Sequence, residues 1–185
     1  MSNFCVNFDL GILPACTLKM SKELSLNTAQ FGLLGSIVYV GQAIGCVIAA
    51  IMFKYVDEHK VIRVGLMLNM LTLLFFTFYA DYWNLLLCRC LTGLFQEFIC
   101  VYFPVWVDTF ASQDSNSSWM SIILIGATLG NITGYITAAL VQDNIGWRWA
   151  FYIQSILLTG NVMSYMMIPS PIVNLSKTTP LIMAH

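Results

Sequence analysis

The sequence predicts an all-α membrane protein with six transmembrane helices, and three observations carry that prediction. Of 185 residues, 58% are hydrophobic and 9% charged, against roughly 25% charged in soluble domains; so few charges cannot cover an aqueous surface. No acidic or basic residue lies between Glu23 and Lys54, Arg63 and Asp81, Asp114 and Asp143, or Arg148 and Lys177. Each stretch can hold an apolar helix of the roughly 17 to 25 residues that cross a bilayer. Aromatic residues gather at segment ends, Tyr79, Tyr82 and Trp83 at one boundary and Trp147, Trp149 and Tyr152 at another, where amphipathic rings prefer headgroup depth.

The first segment, Phe4 to Met20, is short and holds Asp9 and Pro14. The second, Phe31 to Phe53, is rich in glycine at Gly32, Gly35, Gly41 and Gly45. A polar hinge, "KYVDEHK" followed by Arg63, leads to the third, Val64 to Ala80. The linker "DYW" (Asp81 to Trp83) permits only a tight return into the fourth, Asn84 to Val107. The turn-rich "DSNSS" (Asp114 to Ser118) precedes the fifth, Trp119 to Val141. "QDNIG" then turns into the sixth, Trp147 to Ile168, which Pro169 and Pro171 stop. Residues 1–169 therefore read as one bundle, and 170–185 as a short polar tail that is a mobile end rather than a domain.

Six crossings put both termini on one side. Lys54, Lys60, Arg63 and Lys177 fall on that side, and Lys19, Lys22 and Arg148 on the other, a bias towards cytoplasmic termini. In that orientation the glycosylation sequons at Asn116, Asn131 and Asn174 fall in a cytoplasmic loop, a helix and the tail, so none is expected to carry sugar. The N-terminus has no basic leader and Asp9 interrupts its apolar run, so no cleavable signal peptide is expected.

Composition also excludes several functions. A net charge of −1 gives no basic stripe and hence no nucleic-acid partner. The six cysteines all lie in apolar segments, without the spacing of a disulfide framework or zinc site, and read as small packing residues. With His59 in a loop and His185 in the tail, there is no Ser/His/Asp arrangement. Neither an enzyme, a metal nor a cofactor is expected.

Two kinds of residue stand out inside the segments. Gly126, Gly130 and Gly134 recur every four residues, as do Gly41 and Gly45. Such stripes let helix backbones approach closely in lipid, where packing drives association. Asp9, Arg89 and Glu97 are ionisable groups within the first and fourth segments, where a charge near the bilayer centre costs about 2.5 to 3.5 kcal/mol and is a candidate functional site. Gln96 lies seven residues after Arg89, on the same helix face, with Gly93 between them. Glu97 is rotated by roughly 80° from Arg89 and displaced by roughly 12 Å, so the two should not bond to each other. The alternatives without function are that Arg89 snorkels to the interface and that the first segment starts after Asp9, leaving it wet.

"GWRWAFYIQ" (Gly146 to Gln154), opening a sixth helix after a glycine-striped fifth, resembles the major facilitator superfamily. "RCLTG" (Arg89 to Gly93) is similar to that family's fourth-helix arginine motif, and the hinge between segments two and three sits where its loop motif belongs. The resemblance reaches to about Pro169 and implies the N-terminal six-helix half of a twelve-helix fold. "FDLGILP" (Phe8 to Pro14) and "FPVWVDTF" (Phe103 to Phe110) resemble the Spinster branch, whose members move lysolipids and sphingolipids. That branch implies a coupling role for Asp9, Arg89 and the Gln96/Glu97 pair. The chain departs from the pattern at Leu10, which replaces an arginine, and at Gln96, which takes the acidic residue's spacing from Arg89.

The function expected is secondary active or facilitative transport of a small organic or lipid-like solute. Asp9 and Glu97 are candidate proton acceptors, and Arg89 an anion clamp or counter-ion to Asp9 across the helix interface. The partners expected are the solute, protons, membrane lipid, and a second half-bundle or second copy, because alternating access rocks one half against another. The competing expectation is a half-length membrane protein with an assembly role and no transport of its own.

Overall fold

The computed structural model describes residues 2–78, 81–112 and 114–167. These form seven helices: α1 (Ser2–Ala15), α2 (Thr17–Glu23), α3 (Thr28–Tyr55), α4 (Glu58–Phe78), α5 (Tyr82–Phe110), α6 (Asn116–Asn144) and α7 (Arg148–Met166). The predicted tail, Pro169, Pro171 and Tyr79 lie outside the described residues.

Seven helices replace six segments because the first divides at Cys16. Pro14, inside α1, has no N–H to donate and its ring crowds the carbonyl one turn back. The backbone nevertheless stays connected. Cys16 N–H donates to the Ile12 carbonyl at 3.1 Å and Met20 N–H to the Cys16 carbonyl at 2.9 Å. The pair α1 and α2 together covers 2–23, roughly 33 Å at the helical rise.

Helices α3, α4, α5 and α6 are long and apolar enough to cross a membrane. Neither α1 nor α2 has that length alone, and Gln154, Ser155, Asn161 and Ser164 interrupt the apolar run of α7. The starts of α3, α4, α5 and α6 also lie further out than the apolar runs suggested. The hinge shrinks to Val56 and Asp57, because the Asp57 carbonyl accepts the N–H groups of Lys60 and Val61 and so starts α4 six residues early. Tyr82 and Trp83 belong to α5, where the Asp81 side chain accepts the Asn84 N–H at 3.4 Å. Asn27 and Gln30 form a reciprocal cap that starts α3.

Two helix pairs dominate the packing: α1 with α6, and α3 with α5. In the first, a Cβ on Gly130 or Gly134 would lie 2.3 or 2.0 Å from the carbonyl oxygens of Phe4 and Phe8. In the second, a Cβ on Gly41 or Gly45 would lie 2.0 or 2.5 Å from those of Cys90 and Leu94, and one on Gly93 2.1 Å from that of Val38. Only glycine allows backbones this close. At Gly126 nothing described lies within 4 Å of a Cβ placed there. Phe4 and Phe8 face Gly130 and Gly134, each pair four residues apart.

Helix α4 packs on α5 and α7 and closes the bundle around Leu66, Leu73, Phe76, Leu85 and Phe151, all buried. At one end, α2 is tied to the turn between α6 and α7. Lys19 Nζ lies 2.9 Å from Asp143, Trp147 Nε1 donates to Glu23 at 2.6 Å, and Arg148 pairs with Glu23. Most of the surface of α3 and α6 remains exposed.

Candidate substrate and proton site

Asp9 stands mid-way along α1, and Arg89 two turns into α5. Arg89 Nη1 donates to Asp9 Oδ2 at 2.7 Å, with the two side chains 2% and 0% exposed. The guanidinium carbon lies 5.5 Å from the ring centroid of Phe76 on α4 and 6.0 Å from that of Phe151 on α7. Four helices thus meet at one cation, held by a carboxylate and two aromatic faces.

Neither Arg89 nor Asp9 is exposed. Arg89 points into the bundle rather than snorkelling, and Asp9 lies inside a helix that starts seven residues earlier. Glycine contacts on either side fix the depth of both groups. Gly134 binds α6 beside Phe8, the neighbour of Asp9, and Gly93 binds α3 one turn beyond Arg89.

The pair is not fully compensated. Asp9 Oδ1 and Arg89 Nε are buried without a protein hydrogen-bond partner. Taking both charges out of water costs several kcal/mol per ion, and their attraction offsets this fully only when the remaining lone pairs and protons are also bonded. An incompletely bonded buried pair is a poor device for stability alone.

Gln96 shares the buried side of α5 with Arg89. It is 0% exposed, and neither its amide oxygen nor its nitrogen has a protein partner. Glu97 has a different setting. A Cβ placed on Gly45 would lie 3.0 Å from the Glu97 Cβ, so Glu97 sits against bare α3 backbone, half-buried. It takes no part in the Asp9–Arg89 pair.

Sequence reasoning missed several neutral polar groups. Asn69 on α4 and Gln154 on α7 are 1% exposed, each with a side-chain oxygen lacking a protein partner. Thr92 donates to Thr72 at 3.3 Å, and Ser2 to Asn161 at 2.9 Å. A search for neutral amides in charge-free stretches would have found them. His59 is a correction: it belongs to α4, is 5% exposed, stacks on Tyr165 at 5.3 Å and lies 3.0 Å from Arg63. Among the described residues no group of three His, Cys, Asp or Glu side chains could hold a metal ion.

Comparison with known proteins gives a consistent picture. The family model described as "Major Facilitator Superfamily" matches residues 1–181. The "Probable sphingolipid transporter spinster homolog 2" of Arabidopsis thaliana is 27% identical over 137 residues, covering 74% of this chain and 28% of its own length. The "D-xylose transporter" of Levilactobacillus brevis is 22% identical over 143 residues, covering 77% of this chain and 31% of its own. A crystal structure of a D-xylose-proton symporter superposes on 100% of this chain and 50% of its own with a TM-score of 0.70, at 13% identity, a likeness of fold. The chain spans less than a third of the length of these two curated relatives.

Proposed function

The chain belongs to the major facilitator superfamily, and on that premise we propose that it forms a six-segment half of a secondary transporter that carries a small organic or lipid-like solute. In this reading α1 and α2 together make the first segment and α3 to α7 the remaining five. The facing half, whether further chain or a second copy, packs on the exposed surfaces of α3 and α6. The first-helix and fourth-helix likenesses, with a relative described as a probable sphingolipid transporter, favour a lipid-like solute.

The observation that carries this reading is the buried, incompletely bonded Asp9–Arg89 pair. It joins the α1·α6 pair of helices to the α3·α5 pair. A proton on Asp9 removes the charge that holds Arg89 and leaves a cation between two aromatic rings. The two helix pairs then gain by rearranging, which is how a proton would bias an equilibrium between two states of the bundle. Asp9 serves as proton acceptor, Arg89 as its counter-ion, and Gln96 as a neutral member of the same site. The polar lining of Asn69 and Gln154 admits the rearranged charge at lower cost than hydrocarbon.

The test is uptake into proteoliposomes of a radiolabelled single-chain lysolipid and of a pentose, each with and without an inward proton gradient. Saturable lysolipid uptake stimulated by the gradient is expected. Uptake of neither, or gradient-independent uptake of both at equal rates, would contradict the proposal.

A further inference from the structure

We infer that α1, α4, α5 and α7 enclose a chain of bound water running from the end of the bundle that carries Glu58, His59 and Tyr165 to Asp9, and that a proton reaches Asp9 along it. The inference rests on the transport reading and deepens it by naming the route its proton takes.

The distribution of unsatisfied polar atoms points there first. Among the described residues, ten buried side-chain nitrogen and oxygen atoms have no protein hydrogen-bond partner, and all ten belong to α1, α4, α5 and α7. Helices α3 and α6, which keep most of their surface exposed, contribute none of them. Buried polar groups are bonded to protein or to ordered water, and a bound water needs several polar partners. Scattered atoms could not supply them, but stacked ones can.

Helix register stacks them. Ser2 on α1 donates to Asn161 on α7 at 2.9 Å; seven residues on from Ser2 is Asp9, and seven back from Asn161 is Gln154. The same step recurs on the other two helices. Phe76 on α4 faces Arg89 on α5, and seven residues from each stand Asn69 and Gln96. Seven residues make nearly two turns and roughly 10 Å, so each step keeps the face and changes the level. One tier holds Asp9 Oδ1, Arg89 Nε and Gln154 Oε1, and the next holds the Gln96 amide, Asn69 Oδ1 and Asn161 Nδ2, all without protein partners. Between the tiers, Thr92 donates to Thr72 at 3.3 Å. One turn beyond Asn161, the Tyr165 hydroxyl is again unpartnered, and its ring stacks on His59, which lies 3.0 Å from Arg63. There Glu58, the first residue of α4, is 5% exposed and keeps Oε2 unpartnered, beside the ion pair of Asp57 with the exposed Lys60.

The carboxylate is oriented to receive the proton. Arg89 Nη1 holds Asp9 Oδ2 at 2.7 Å, which leaves Oδ1 as the acceptor. Hydronium from the aqueous phase gives up the first proton, each water takes one on one side and releases one on the other, and Asp9 Oδ1 takes the last. The elements packed on α1 offer no competing acid. Helix α5 brings Arg89, and α6 and α7 bring glycines and neutral amides. Helix α2 carries Lys19 and Glu23, engaged with Asp143 and Arg148 at the opposite end, and the exposed Lys22. The Cys5 thiol lies one turn from Asp9 on α1 itself.

The experiment is X-ray radiolysis followed by mass spectrometry, which oxidises side chains that touch bound water, on the whole chain in nanodiscs without solute or gradient. Leu73 lies between Asn69 and Phe76, and Leu158 between Gln154 and Asn161; they are 1% and 0% exposed, and Leu34 on α3 is 0% exposed. Leu73 and Leu158 should be oxidised well above Leu34. In Gln96→Leu their oxidation should fall to that of Leu34. After a pH jump, the Asp9 carboxyl, identified in the infrared by its loss in Asp9→Asn, should take its proton severalfold more slowly in Gln96→Leu than in the wild type. Asn69→Leu, which alters the same tier from α4, replaces Gln96→Leu if that variant aggregates. Equal oxidation of the three leucines in the wild type would overturn the inference, as would oxidation undiminished in the variant or protonation of Asp9 at the wild-type rate in a variant whose tiers have dried. Because both readouts need neither solute nor gradient, failed lysolipid uptake leaves the water chain standing, and a dry interior leaves uptake standing.

Discussion

Arg89 lies on the side of α5 that meets α1, α4 and α7, its Nη1 2.7 Å from Asp9 and its guanidinium beside Phe76 and Phe151. Eight residues on, Glu97 stands half-buried against the bare backbone of α3 and outside every described ion pair. One helix thus handles two charges in two ways. A charge in a membrane can be sealed with its counter-ion, and then its removal is felt as stability. It can instead stay partly exposed, and then its removal costs little stability. The comparison predicts that the stability cost of losing a charge differs along a single helix.

The largest effect expected is from Arg89→Gln, which strands Asp9 without its cation and should cost about 3 to 5 kcal/mol in thermal unfolding of the detergent-solubilised chain. Asp9→Asn combined with Arg89→Gln should recover much of that loss, since removing both charges leaves no uncompensated ion. Additive single effects would break the sealed half of the comparison. Next in size is Gly134→Ala. Its Cβ would lie 2.0 Å from the Phe8 carbonyl oxygen, forcing α6 from α1 beside Asp9, at a cost of about 1 to 3 kcal/mol in the same assay. Gly126→Ala, which meets nothing within 4 Å, should be neutral or stabilising by up to about 1 kcal/mol from helix propensity alone. Equal losses at both positions would show that the glycine contacts are not what sets the register. The smallest change in stability should come from Glu97→Gln, within about 0.5 kcal/mol of the wild type; a larger loss would place Glu97 with the sealed charges.

The fold was legible where charge-free stretches are long. Segments two, four and five each lie within one helix, and the starts of α3, α4 and α6 moved outward because polar residues such as Thr28, Glu58 and Asn116 still supply helical turns beyond the apolar run. The break at Cys16 was less legible, although Pro14 marked its neighbourhood. In the site, the cost of buried charge led from Asp9 to Arg89 before any distance was known. The aromatic faces of Phe76 and Phe151 could not be singled out among so many apolar residues, since their role depends on α4 and α7 meeting at Arg89. Periodicity placed Gly126, Gly130 and Gly134 on one face of α6 without showing which of them meet α1. Neutral amides such as Asn69 and Gln154 escaped notice because they leave no mark in a charge count.

The contrast along α5 is tested most directly by the pH profile of lysolipid uptake, measured side by side for wild type, Asp9→Asn and Glu97→Gln in proteoliposomes. Asp9→Asn should flatten the profile, while Glu97→Gln should keep its shape. A pH dependence that survives Asp9→Asn and disappears in Glu97→Gln would contradict the account, by placing the coupling proton on the open carboxylate rather than in the sealed pair.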